Sequence, residues 1–189
     1  MRVVAGAAKG HPLKVPKGNA VRPTTDRVRE ALFSILGSGV EGARVLDLFA
    51  GSGALGIEAL SRGATHATFV EMSPPAVAVI HANLATTRLA PAADVRTQAV
   101  DRALAALASA GLRFDLVFLD PPYDRGQLGP TLRALDASGI LAPRSTVVAE
   151  HPAHERTAEL PLGRLVHATT RTWGDVGVSF FDATTGACE

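Results

Sequence analysis

The sequence predicts an α/β fold: a mostly parallel β-sheet with helices on both faces, finished by a C-terminal antiparallel hairpin and preceded by a small N-terminal β-hairpin extension. Three observations carry this. From Ala43 onward, strand-like apolar runs alternate with helix-like segments, which implies right-handed crossovers between parallel strands. Val45-Leu46 and Leu116-Val117-Phe118-Leu119 are apolar without alternation, as strands buried on both faces must be. Near the end, Gly174-Asp175 separates two β-rich runs, a hairpin signal.

Residues 1–22 alternate short apolar pairs with Gly and Lys (Val3-Val4, Gly6, Gly10, Leu13, Val15), reading as the small hairpin. Pro23-Thr24-Thr25-Asp26 then precedes Val28, Ala31, Leu32 and Ile35, spaced as one helical face behind a capping residue, and Gly37-Ser38-Gly39 ends that helix. Strands are predicted at 44–49, 67–71, 94–99, 114–119 and 146–150, with helices at 54–62, 74–86, 102–109 and 128–137. The closing hairpin pairs 165–173 with 176–181. One domain is expected over 23–182, with 1–22 as part of it and 183–189 as a loose tail.

Composition narrows the class. A chain of 189 residues, 47% hydrophobic and 20% charged, fits one well-buried core. No apolar run approaches the roughly 18 residues of a membrane span, and the first residues lack the apolar core of a signal peptide, so a cytoplasmic protein without membrane contact is expected. The single Cys188 offers neither a disulfide framework nor a zinc cluster, and no metal is expected. The net charge of +1 hides an asymmetry: residues 1–30 carry Arg2, Lys9, Lys14, Lys17, Arg22, Arg27 and Arg29 against only Asp26 and Glu30. Such a basic segment suits phosphate contact through counterion release, although a merely solvated terminus would have the same composition.

The run Asp47-Leu48-Phe49-Ala50-Gly51-Ser52-Gly53-Ala54-Leu55-Gly56 places glycines where a strand ends and a helix begins. There the backbone can approach a ligand closely and the helix presents unpaired N–H groups. Gly51, Gly53 and Gly56 match the dinucleotide spacing G-x-G-x-x-G, but Asp47 would repel a pyrophosphate; a carboxylate there suits a ligand carrying an ammonium and a sulfonium. Glu71 closes the second strand, where it can accept from ribose hydroxyls of either kind of cofactor. Asp101 follows the third strand, placed either for an adenine amino group or as an exposed helix N-cap.

Asp120-Pro121-Pro122-Tyr123 follows the apolar fourth strand and so sits at the carboxyl edge of the sheet. Two prolines rigidify the loop and remove two donors, leaving carbonyls that only accept. An exocyclic amine needs such acceptors: Asp120 and the Pro121 carbonyl can each take one of its N–H groups while Tyr123 stacks on the base. A cytosine-C5 methylase would instead need a cysteine nucleophile, for which Cys188 in the terminal tail is a poor candidate.

The run Asp47–Gly56 resembles motif I, and Asp120–Tyr123 motif IV, of class I amino-methyltransferases. More specifically, the chain resembles the RsmD family of 16S ribosomal RNA guanine-N2 methyltransferases. The matching pieces are Arg22-Pro23-Thr24-Thr25-Asp26-Arg27-Val28-Arg29-Glu30-Ala31-Leu32-Phe33, Asp47 through Ala64, Asp120–Tyr123, and Trp173-Gly174-Asp175. Trp173 stands where the family often has tyrosine, and the third-strand acidic residue is displaced to Asp101. The resemblance implies a Rossmann-like seven-stranded methyltransferase fold and S-adenosyl-L-methionine held by Asp47, Phe49, Ala50, Gly51, Ser52, Gly53, Glu71, Met72, Asp101 and Asp120. It implies Asp120, Pro121, Pro122 and Tyr123 as the catalytic segment. It also implies RNA contacts at Lys9, Lys14, Arg22, Thr24, Thr25, Arg27 and Arg29, and a monomer acting on guanine N2 of 16S ribosomal RNA within an assembled or partly assembled small subunit.

Three rivals share parts of the pattern. A DNA methyltransferase acting on adenine N6 or cytosine N4 has the same Asp-Pro-Pro-Tyr chemistry, but 189 residues leave no room for an inserted target-recognition domain. A nucleic-acid-binding module with an inactive methyltransferase fold is disfavoured by intact Asp47, Glu71, Asp120 and Tyr123. A dinucleotide oxidoreductase lacks any hydride-acceptor site.

Overall fold

Seven strands form one mixed sheet in the computed structural model, which describes residues 1–16, 26–123 and 126–184. The chain divides into two compact units, Met1–Ala99 and Val100–Glu189.

In the first unit the predicted N-terminal hairpin is reduced to a single antiparallel bridge, Arg2 to Pro12, among the described residues. Val3 N–H donates to the His11 carbonyl at 3.0 Å and Gly10 N–H to the Val3 carbonyl at 2.9 Å. Val3, Ala8 and Leu13 are buried. Besides these backbone bonds, the segment is held by side chains of the following helices. Glu58, fully buried, accepts from Val4 N–H at 2.8 Å and Ala5 N–H at 3.0 Å. Ser61 Oγ accepts from Ala8 N–H at 2.9 Å, and a Cβ on Gly6 would lie 1.8 Å from the Ser61 carbonyl oxygen.

Helix α1 (Asp26–Leu36) buries Val28, Arg29, Leu32 and Phe33. This corrects the predicted face, which is turned toward Arg29 and Phe33: Ile35 is 45% exposed while Phe33 is buried, with the Arg62 guanidinium 4.8 Å from its ring centroid. A 3-10 turn, Gly37–Val40, ends the helix as the glycines indicated.

Strands β1 (Arg44–Leu48), β2 (His66–Glu71) and β3 (Ala93–Thr97) run parallel in the order β3-β2-β1. They are joined by helices α2 (Ala54–Ser61) and α3 (Pro74–Thr87). Val45, Leu46 and Leu48 are fully buried, as non-alternating runs require, whereas β3 is half-exposed along nearly its whole length. Helix α3 starts with prolines, whose missing N–H is no loss in a first turn. It ends at Arg88 with φ of 61°.

The second unit contains α4 (Val100–Ser109), β4 (Phe114–Leu119), α5 (Leu128–Ala137), β5 (Leu141–Pro152), β6 (Leu165–Trp173) and β7 (Val176–Ala183). β5 pairs parallel with β4 and antiparallel with β7, which in turn pairs antiparallel with β6. Gly174, with φ of 61°, makes the predicted turn between Trp173 and Val176, which face each other. β5 begins five residues earlier than predicted. Leu141 faces Phe114, the register then jumps to Thr146 opposite Leu116, and the residues between form a bulge with Arg144 at φ of 61°. Pro143 and Arg144 broke the apolar pattern without ending the strand. No helix among the described residues is long and apolar enough to cross a membrane.

One close approach governs the first unit. Gly56 lies against Phe69, and a Cβ there would fall 2.3 Å from the ring atom Cε1. Gly56→Ala is therefore expected to cost about 1–3 kcal/mol, the range of overpacked cores, read as a lower Tm in thermal unfolding; an unchanged Tm would show that the helix can retreat from the strand.

Candidate active site

The glycine turn after β1 carries positive φ at three alternate residues: Phe49 at 58°, Gly51 at 53° and Gly53 at 76°. Gly53 is the residue before α2, in the left-handed conformation. Positive φ is costly for a phenylalanine, so the turn must be over-determined by its contacts. Asp47, 2% exposed, accepts the Gly56 N–H on Oδ2 at 2.9 Å. Glu71 Oε2 accepts the Gly51 N–H at 2.9 Å, and its Oε1 accepts the Ser73 N–H at 2.8 Å. Ala50 N–H donates to the Val70 carbonyl at 3.0 Å. From α3, the Asn83 amide donates to the Ser52 carbonyl at 2.9 Å. The same side chain bonds Lys14 twice, accepting its N–H at 2.8 Å and donating to its carbonyl at 3.0 Å.

The electrostatics of this turn are those of a site short of positive charge. Burial pushes the Asp47 carboxyl up to about 7; the Gly56 N–H opposes this and the Glu71 carboxylate adds to it. Met72, directly after Glu71, is 63% exposed, an apolar surface standing open beside the acidic pair. Asp47, Phe49, Ala50, Gly51, Ser52, Gly53, Glu71 and Met72 thus all lie on or beside one turn. Asp101 belongs to the second unit: it is exposed in the first turn of α4, one residue inside a helix that starts at Val100 rather than at its cap.

In the second unit, Asp120 follows β4 and is half-buried, Pro121 is buried, and Pro122 and Tyr123 are exposed. Tyr123 donates its hydroxyl to Glu150 Oε1 at 3.0 Å. A cleft beside them is lined by residues including Pro121, Pro122, Tyr123, Glu150, His151 and Pro152. Beneath it, His151 is 1% exposed, with Nδ1 2.8 Å from the Pro152 carbonyl and Nε2 2.8 Å from Ser179 Oγ. Burial lowers the His151 pKa, the Pro152 carbonyl partly opposing this.

Among the basic residues, Lys9, Lys14 and Arg27 are exposed. Arg29 is corrected: its side chain is fully buried, donating to the Arg2 carbonyl and to Asp26 Oδ1 at 2.9 Å, so it anchors the N-terminal segment and presents nothing to a polyanion. Arg22, Thr24, Thr25 and Cys188 lie outside the described residues. Glu150 and Asn83 belong to no motif in the sequence. An asparagine within the apolar helix segment Ala76–Thr87, and an acid ending the apolar run Val147-Val148-Ala149, were the available signals.

A family model described as "Conserved hypothetical protein 95" matches residues 1–182. Ribosomal RNA small subunit methyltransferase D of Escherichia coli K12 is 39% identical over 167 residues, covering 88% of this chain and 82% of that protein. The chain belongs to the RsmD family. Among solved structures similar to this RsmD-family chain, yhhF of Escherichia coli superposes with a TM-score of 0.83 at 36% identity, over 97% of this chain and 98% of that one. The Thermus thermophilus 16S rRNA N2 G1207 methyltransferase, solved with AdoMet and guanosine, matches with a TM-score of 0.69 at 25% identity, over 88% of this chain and 44% of that one. The fold is therefore that of the class I methyltransferases, as the sequence indicated.

The raised Asp47 pKa fixes the sign of a pH effect. With a folded value near 7 above an ordinary 3.8, its contribution to stability is fully present below pH 3.8 and is lost as pH rises through about 7. Asp47→Asn, which keeps an acceptor for Gly56, should flatten the fall of Tm across that window. An equal pH slope in both proteins would show that Asp47 ionises without penalty.

Proposed function

We propose that this RsmD-family protein transfers a methyl group from S-adenosyl-L-methionine to the exocyclic N2 of a guanine in 16S ribosomal RNA. The observation that carries the reading is the Asp120-Pro121-Pro122-Tyr123 segment closing the buried strand β4, with the Tyr123 ring exposed and its hydroxyl tied to Glu150. The names of the Escherichia coli relative and of the Thermus thermophilus structure support the same chemistry and the same RNA.

The turn after β1 fits the cofactor. Each Glu71 oxygen accepts one backbone N–H and keeps a further lone pair for a ribose hydroxyl. Asp47 is a buried carboxylate whose ionisation a neighbouring ammonium or sulfonium would favour. Phe49 through Gly53 and Met72 complete the set, with Asp101 and Asp120 as further contacts. The cofactor supplies a methyl group already activated by its sulfonium, so the protein's task is placement. In the second unit, Asp120 and the Pro121 carbonyl accept the two N–H groups of the base and thereby direct the nitrogen lone pair. Pro122 stiffens the loop, and Tyr123 stacks on the base. Lys9, Lys14 and Arg27 supply phosphate contacts, and Arg22, Thr24 and Thr25 serve as further RNA contacts. The protein works as a cytoplasmic monomer on an assembled or partly assembled small subunit, residues 23–182 forming the transferase domain.

The decisive experiment incubates the protein and labelled S-adenosyl-L-methionine with naked 16S RNA, with small subunits lacking the modification, or with DNA, and identifies the product nucleoside by mass spectrometry. N2-methylguanosine is expected, from the subunits above all; a methylated adenine or cytosine in DNA would overturn the reading. Asp120→Ala should lower turnover by about 100-fold or more while calorimetry shows cofactor affinity little changed, and unaltered turnover would remove Asp120 from the reaction. Replacing Lys9, Lys14 and Arg27 together with alanine should reduce the salt slope of RNA binding by roughly 0.7 per lost phosphate contact. A slope as steep as that of the unaltered protein would place the RNA surface elsewhere.

A further inference from the structure

Tyr123 is the chain's only tyrosine, and it is 41% exposed. An exposed aromatic side chain on a loop samples several rotamers, and a ring that must receive a base gains from being held in one. Its hydroxyl donates to a carboxylate that is itself 6% exposed, Glu150 Oε1, at 3.0 Å. A hydrogen bond to a buried carboxylate is stronger than one between neutral groups, so this contact restrains the ring's orientation.

Glu150 is well placed to act as a fixed point. β5 runs beside β4 with Ala149 opposite Leu119, which brings Glu150 level with the start of the Asp120–Tyr123 segment. The next residue, His151, occupies the opposite face of the strand and is immobilised between the Pro152 carbonyl and Ser179 Oγ. Ser179 Oγ also lies 2.6 Å from Thr157 Oγ1 and 2.7 Å from Thr170 Oγ1. Gly177 faces His151 across the pairing of β5 and β7, where a Cβ would fall 2.5 Å from the imidazole. The strand end that carries Glu150 is thus pinned by a buried polar network on its far side.

We infer that Glu150 is a positioning residue for methyl transfer, holding the Tyr123 ring through its hydroxyl so that the ring offers the base a pre-set stacking face. The inference rests on the methyltransferase reading and adds to it a residue that acts through Tyr123. Glu150→Ala and Tyr123→Phe each break the same bond. Each should lower kcat about 10-fold, the worth of one charge-assisted hydrogen bond, with cofactor affinity unchanged, and the double variant should be no slower than either single one. Glu150→Gln, whose amide oxygen still accepts, should recover most of the loss. Because Tyr123 is unique, near-ultraviolet phenolate absorbance reports on it alone. The phenolate should appear at lower pH in Glu150→Ala than in the unaltered protein, since removing a carboxylate favours the charged ring.

Independent, additive losses in the double variant, or a phenolate titration that Glu150→Ala does not move, would overturn the inference while leaving the methyltransferase reading intact. Should Glu150→Ala fail to fold, Tyr123→Phe removes only a hydroxyl, and full turnover in that variant would overturn it as well. An unaltered protein that methylates no RNA would sink the functional reading itself, and this inference with it.

Discussion

The hydrogen bond from Gly56 N–H to the buried Asp47 carboxylate is the constraint on which the first unit depends. It spans the end of β1 and the first turn of α2, and a helix N-terminus is where unpaired donors and the positive end of the dipole are found. Drawing the chain back on itself within nine residues leaves little choice of backbone between them, which is why Phe49, Gly51 and Gly53 take positive φ. The helix must also approach β2 closely enough for Gly56 to touch Phe69. In the parallel register Asp47 faces Phe69, so the carboxylate and the ring that limit the helix belong to neighbouring positions of adjacent strands. Glu71, two residues beyond Phe69, then catches the turn at Gly51. Two strands each deliver one carboxylate to one loop, and the proximity of the second is part of why the first resists ionisation.

Side-chain acceptors hold irregular backbone elsewhere too. Glu58 receives two N–H groups from the N-terminal segment. Asp136, near the end of α5, receives those of Gly163, Arg164 and Leu165 at 2.6 to 2.8 Å, and so fixes where β6 begins. Asn83 ties Lys14 to Ser52. Backbone donors without a strand or helix partner need acceptors when buried, and helix side chains supply them here.

Much of this was legible in the residues, because a period of two or of 3.6 survives in any single chain. Strand β4 and helix α5 fall where the pattern put them, and Gly174-Asp175 turns the hairpin. The pattern failed where tertiary contact outvotes it. Ile35 has the spacing of a core residue, but the helix is packed through a face rotated toward Arg29 and Phe33, which leaves Ile35 exposed. β5 continues through a proline because a bulge absorbs the extra length. Arg29 looked like one more cation in a basic segment; its burial depends on Arg2 and Asp26 being brought to it. Glu150 and Asn83 were silent for a related reason. Their partners lie 27 and 31 or more residues away, and no local period encodes such a distance.

The N-terminal segment, written as a string of glycines and lysines, folds against α2 and α3 instead of trailing from them. A polyanion meeting a loose tail must confine its backbone residue by residue, at roughly 1–2 kcal/mol for each. Around Lys9 and Lys14 that confinement is already completed during folding, by Ser61, Glu58 and Asn83. The two lysines therefore behave as charges mounted on a rigid frame, with only their own side chains left to order. Because Asn83 is shared with Ser52, the frame that holds Lys14 also holds the carbonyl of the glycine turn.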